Sequence, residues 1–177
     1  FAKQENALTI GAGMNIEEAK KPVILDEAGG IGMFGVGYKR ACRKADENTP
    51  GCYSWSDLEN IQKSIDDIKS KCRWCIVVAH AGEEFTPLPS PYTRERYHKF
   101  LEMGADIVVA HHPHVPMNYE TVGDKIIFYS LGNFISAQIG VERLTGALVT
   151  VDINKTVEED QTSNITLSNL NTELIYT

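Results

Sequence analysis

Two segments, "WCIVVAHAG" (74–82) and "ADIVVAHHPH" (105–114), constrain this chain more than any other feature. Each is a continuous apolar run of strand length that stops at a histidine. A run without polar alternation is the mark of a strand covered on both faces, as in parallel sheets. Between them, "EEFTPLPSP" (83–91) holds three prolines and must be loop. "YTRERYHKFLEMG" (92–104) predicts a helix closed by Gly104. Strand, helix, strand is a βαβ unit, whose two strands run parallel through a right-handed crossover. The strands then lie side by side with their carboxyl ends together. His80 ends the first, and His111, His112 and His114 end the second. Sites in open α/β sheets form at that end.

The rest of the chain is consistent with an α/β fold. "ALTIGAG" (7–13) reads as a short strand and turn, and "NIEEAKKP" (15–22) as a turn or two of helix capped by Asn15 and stopped by Pro22. "VILDEAGGIGMFGVG" (23–37) predicts two strands joined at Ala28-Gly29-Gly30. These glycines lie between and within strands, so turn and close packing explain them better than a phosphate cradle does. Residues 39–55 are polar and read as a surface loop. Apolar residues at 58, 61, 65 and 68 predict a helix over 56–72, with Ser56 as N-cap and Glu59 completing a capping box. "DKIIFYSLGNFIS" (124–136) predicts a strand running into a Gly-Asn turn, "ALVTVDINK" (147–155) an alternating strand, and 160–177 an edge strand.

At 177 residues, 42% hydrophobic and 23% charged, the chain is globular and reads as a single domain, 1–177. It opens on Phe1 in what reads as structured protein, so it is expected to be a piece of a longer one. The net charge of −7 disfavours a nucleic-acid partner, which needs a surplus of Lys and Arg, and none is expected. No run of eighteen apolar residues is present to span a membrane. Cys72 and Cys75 form a lone C-x-x-C, half a zinc site or redox pair at most, and a structural role is expected. Cys42 and Cys52 could bridge across their loop in an oxidising compartment.

In an extended segment His112 and His114 share a face and His111 takes the other, with Pro113 stiffening the link. Two imidazoles on one face and a third from the neighbouring strand suit a divalent transition metal: Mn, Fe or Zn. The plainer alternative is that these histidines only hydrogen-bond, as is expected of His98 in mid-helix. Glu83 and Glu84 follow His80 closely, as ligand, imidazole anchor, general base or solvated loop acids. Asn133 in "SLGNF" caps a turn or holds an imidazole.

"VVAHAGEEF", "GADIVVAHHPHVP" and "KIIFYSLGNFI" together resemble the CapA/PgsA-type proteins of bacterial capsule and poly-γ-glutamate biosynthesis. Those proteins are related to the calcineurin-like metallophosphoesterases. The resemblance covers most of residues 7 to 153. It implies part of a four-layer α-β-β-α metallophosphoesterase-like sandwich with metals at the strand ends. His80 matches the histidine of the family's HWG motif, and His112 and His114 match the paired histidines of GHHPHV. These three are the implied metal ligands, Glu84 falls on the family's acidic position and is expected with His80 in catalysis, and Asn133 matches the Asn of SLGNF. Independently of the resemblance, His111 and Glu83 are expected, like Asn133, to support the ligands or face substrate. Ala81 stands where the family has Trp, which is expected to open the pocket or shift specificity, and Ala110 replaces a Gly. The family's early GD strand, Asn-Leu-Glu and Asn-His segments have no counterpart. The loop after "GNFIS" is shorter than usual, "AQIGVER" following at once. Two-metal chemistry needs bridging carboxylates. The chain is therefore expected to be the carboxyl-terminal part of a larger CapA-like domain, inactive alone.

The resemblance implies a metal-dependent hydrolase acting on a phosphoester or polyglutamate-type anionic polymer. The alternative is a non-catalytic scaffold that assists synthesis, export or anchoring of such a polymer. Expected partners are other capsule-synthesis membrane proteins and, through an exposed sheet edge, a second copy of the chain. The expected location is extracytoplasmic, at the cell surface or held to the membrane by a segment outside this sequence.

Overall fold

The computed structural model describes residues 7–25, 30–38, 40–137, 140, 143–157 and 163–176, with side chains left out at 153–157, 163–170 and 176. Its centre is a six-stranded sheet in the order β2-β3-β5-β6-β8-β7. The strands are β2 (Val23–Leu25), β3 (Ile31–Gly37), β5 (Trp74–His80), β6 (Ile107–His111), β7 (Tyr119–Val122) and β8 (Lys125–Phe128). β3, β5, β6 and β8 run parallel, and β2 and β7 are antiparallel edges. The βαβ unit forms as expected: α3 (Pro91–Glu102) links β5 to β6, and the register sets His80 beside His111. Asp106 pins that register from the far end. Its carboxylate accepts the Cys75 N–H at 2.7 Å and the Lys69 ammonium at 2.9 Å.

Side chains alternate along a strand, so the two sheet faces can be read off. Cys75, Val77, Ala79, Val108, Ala110 and Ile127 face α3 and α2 (Leu58–Lys71), where Ile61, Ile65, Ile68, Tyr97 and Phe100 meet them in one fully buried core. Each buried aliphatic or aromatic side chain there contributes about 1.5–3 kcal/mol. On the opposite face a smaller cluster, Ile107, Ile126 and Phe128, packs with Ile76, Val109 and Val149. His80 and His111 belong to this second face. The described residues thus supply one helical layer and one sheet layer of the four that the resemblance implies. β9 (Thr145–Val157) and β10 (Ser163–Tyr176) pair as a separate antiparallel ribbon, so the expected edge strand has β9 as its partner.

Several local expectations need correction. α2 starts at Leu58 with Asp57 at the cap position and no side-chain cap bond, so Ser56 and Glu59 form no capping box. Residues 39–55 are more than a surface loop. β4 (Gly51–Cys52) pairs with β1 (Ala12–Gly13), and Tyr53 and Trp55 are fully buried. Their aromatic bulk draws a polar segment into the core. Ala81, expected at an opened pocket, is fully buried instead, and its carbonyl accepts the Tyr97 hydroxyl at 3.1 Å. β7 is absent from the sequence reading because its apolar residues are sparse. Asn15 caps α1 (Ile16–Ala19) as predicted, accepting the Glu18 N–H at 2.9 Å. Of the turn expected at Ala28-Gly29-Gly30, residues 26–29 lie outside the described residues, as do 138–139 and 141–142 in the loop after "GNFIS".

Candidate metal centre

The site begins where the parallel strands end. His80 and His111, paired in register, meet edge to face with ring centres 4.7 Å apart. Beyond His111 the chain leaves the extended conformation. His112 has φ 112° and His114 φ 62°, around a buried Pro113. The expected extended H-x-H is therefore incorrect in its premise, although the two rings do come together, 5.9 Å apart. Left-handed backbone at residues with a Cβ costs of order 1–3 kcal/mol each and gathers at functional sites. Among the described residues, the non-glycine positions with positive φ are Phe85, His112 and His114, all at this cluster.

Backbone hydrogen bonds bring the acidic loop to the histidines. The Ala81 N–H donates to the His111 carbonyl at 3.0 Å, and the Phe85 N–H to the Pro113 carbonyl at 2.9 Å. Between them Gly82 has φ 120°, and a Cβ there would press on Pro113 at 3.1 Å. Glu84 is thereby laid beside His112, its Oε1 3.8 Å from Nε2. Glu84, His112 and His114 each offer one ligand atom, all within 4.8 Å of one another. They form a group of the right donor types to hold a metal ion. His80, expected as a third histidine ligand, falls outside that group but adjoins His112, ring centres 4.8 Å apart.

Asn133, at the turn after β8, orients His114. Its Oδ1 lies 2.9 Å from His114 Nδ1, and its amide donates to the Arg143 carbonyl at 2.7 Å. An amide oxygen only accepts, so Nδ1 carries the proton and Nε2 keeps its lone pair for a ligand. Glu83, by contrast, is turned to α3. It accepts from Ser90 Oγ at 2.6 Å and Thr93 Oγ1 at 3.1 Å, tying the acidic loop to the helix start. His98 bonds Glu120 at 3.1 Å, well apart from the cluster.

The electrostatics favour neutral imidazoles, the form that binds metal. Burial, then the neighbouring histidines, hold His80 down at about 4. His111 and His112 are lowered as well, first by burial, with Glu84 partly opposing the effect at His112.

Two residues here went unread in the sequence. Phe85 stacks on the His114 ring at 5.7 Å, and the Arg143 guanidinium lies 4.2 Å from the Phe85 ring centre. Both line a groove of about 590 Å³ with Pro87, Val115, Pro116, Thr145 and Leu174. No local pattern marks them, since long-range folding brings 85 and 143 together. The adjacent "EEF" was the only pointer.

Fold and site together define an α/β protein with a histidine and carboxylate group at the carboxyl ends of parallel strands. The chain belongs to the family described as bacterial capsule synthesis protein PGA_cap, whose pattern matches residues 2–138. It is 34% identical over 158 residues to the PGA biosynthesis protein CapA of Bacillus subtilis (strain 168), covering 88% of this chain and 41% of that protein. It is 33% identical over 146 residues to the capsule biosynthesis protein CapA of Bacillus anthracis, covering 79% of this chain and 35% of that protein. The chain thus spans less than half the length of these relatives. In structure it is similar to a hypothetical protein from Thermus thermophilus, with TM-score 0.49 and 13% identity, over 88% of this chain and 61% of that one. Among the described residues, no helix is long and apolar enough to cross a membrane.

Proposed function

We propose that this chain supplies the histidine side of a divalent-metal site in a capsule-biosynthesis protein, and that the full-length protein is a metal-dependent hydrolase acting on an anionic surface polymer. One observation carries the reading: the convergence of Glu84, His112 and His114 within 4.8 Å on a strained backbone. The donor set, one carboxylate and two imidazoles with His80 adjoining, suits zinc, manganese or iron. His112 and His114 would ligate, and His80 would ligate from the flank or move a proton. When bound, the ion supplies Lewis acidity at a phosphoryl or acyl oxygen. Glu84, half-exposed beside His112, is placed to ligate or to act as general base. Asn133 fixes the His114 ring. Arg143, over the Phe85 ring and lining the groove beside the metal group, is a cation suited to meet a carboxylate or phosphate there. The location at the cell surface and the other capsule-synthesis proteins as partners belong to the same proposal.

A second reading has one observation in its favour. Among the described residues, the metal group holds a single carboxylate, Glu84, and none placed to bridge two ions. A scaffold that holds a polymer without cutting it needs no more than this one ion site. The test is hydrolysis by metal-loaded full-length protein of an aryl phosphodiester and of a γ-linked glutamate oligomer. The hydrolase reading predicts turnover of one of them, lowered about 100-fold or more in Glu84→Gln. Stoichiometric metal with no turnover of either would leave the scaffold.

A further inference from the structure

Cys42 and Cys52 take no part in the metal group, yet they are a built pair. The segment between them folds back on itself: the Cys52 N–H donates to the Arg43 carbonyl at 2.7 Å, and the Ala45 N–H to the Cys52 carbonyl at 2.9 Å. These bonds hold the two cysteines on facing arms. Both sulfurs then converge on Gly37, the last residue of β3. A Cβ placed there would lie 2.7 Å from the Cys42 sulfur and 2.9 Å from the Cys52 sulfur. Gly37 is thus the residue that leaves room for two thiols side by side. The thiols are close enough to act on each other electrostatically, and both are free. They line a cavity of about 430 Å³ together with His80 and His111. Cys72 and Cys75 lie at the opposite end of β5, about 20 Å along the strand, so they cannot pair with Cys42 or Cys52.

We propose that Cys42 and Cys52 are a modification site, closing to a disulfide that staples the 42–52 loop over the end of β3, beside His80. The oxidant is a small-molecule disulfide. Cys42 is the more exposed and attacks first. Its thiolate, having lost its proton to solvent, bonds to one sulfur of the oxidant, whose S–S bond breaks to release one thiolate. Cys52 then gives its proton to solvent and attacks the Cys42 sulfur, releasing the second thiolate. Two protein thiols are oxidised and the reagent is reduced to two thiols. Burial and the neighbouring thiol hold Cys52 up at about 12, so it stays protonated at neutral pH, its attack is the slower step, and closure speeds up as pH rises.

The chain is incubated with oxidised glutathione, alkylated and digested with trypsin. Cleavage at Lys and Arg places Cys42 in peptide 41–43 and Cys52 in peptide 45–63. The expected product is these two peptides joined, two hydrogens lighter than their sum, with Cys72 and Cys75 recovered in other peptides as alkylated thiols. Closing so short a loop should raise the melting temperature by about 5–10 °C. That rise should be reversed by dithiothreitol and absent in Cys42→Ser, which tests the staple independently of the peptide map. Recovery of Cys42 and Cys52 as alkylated thiols, a stable glutathione adduct on Cys42, or a joined peptide with no change in melting would overturn the proposal.

Discussion

Replacing Asn133 by alanine is the sharpest perturbation of the metal group that leaves every candidate ligand in place. The change removes the Oδ1 that holds His114 Nδ1 at 2.9 Å and the amide that reaches the Arg143 carbonyl at 2.7 Å. Without the acceptor the His114 ring is free to rotate and to change tautomer, so Nε2 faces the ion only part of the time. Loss of such an orienting partner weakens metal affinity about 10–100-fold, which is about 1.4–2.7 kcal/mol. Zinc or manganese affinity is measured by competition with a chromophoric chelator, with circular dichroism as a check on folding. The same substitution on a His114→Ala background should cost less than about twofold, because the two residues act through one imidazole. A folded Asn133→Ala with parental affinity, or a full further loss on the His114→Ala background, would refute the orienting role.

Glu83 and Glu84 separate stability from binding. Glu83→Ala should cost about 1.5–3 kcal/mol in urea unfolding, from bonds lost at the start of α3, with metal affinity kept. Glu84→Ala should do the reverse, and equal effects of the two would contradict their assignment. His80 makes the metal-free chain acid-sensitive. Its folded value of about 4 lies below the ordinary 6.5, so the unfolded chain binds more protons in that window. Stability should therefore fall as pH drops from 6.5 towards 4, with a shallower slope in His80→Gln; identical slopes would count against it. Phe100→Ala, at a fully buried site under the sheet, should cost about 3–5 kcal/mol by denaturant midpoint, and a loss under about 1 kcal/mol would displace Phe100 from the core.

The parallel strands were legible because burial on both faces leaves an uninterrupted apolar run, and His80 and His111 followed from where those runs stop. The burial of Ala81 was not legible because its neighbours decide it, and Tyr97 seals it from a helix sixteen residues on. The positive φ at His112 and His114 has no sequence signal at a non-glycine residue, so the geometry of the H-x-H turn lay hidden. The resemblance singled out Glu84 over Glu83, but the physical reason, that Ser90 and Thr93 take up the Glu83 carboxylate, lies in the fold and not in the sequence. The groove at Phe85 and Arg143 depends on the approach of two distant loops, which no local periodicity records.

Elemental analysis of the purified full-length protein, beside a His112→Ala/His114→Ala version, addresses the central claim. The account predicts near-stoichiometric manganese, iron or zinc in the parent and its loss in the folded double variant. Equal metal content in both, or none in either, would contradict a metal site built on these two histidines.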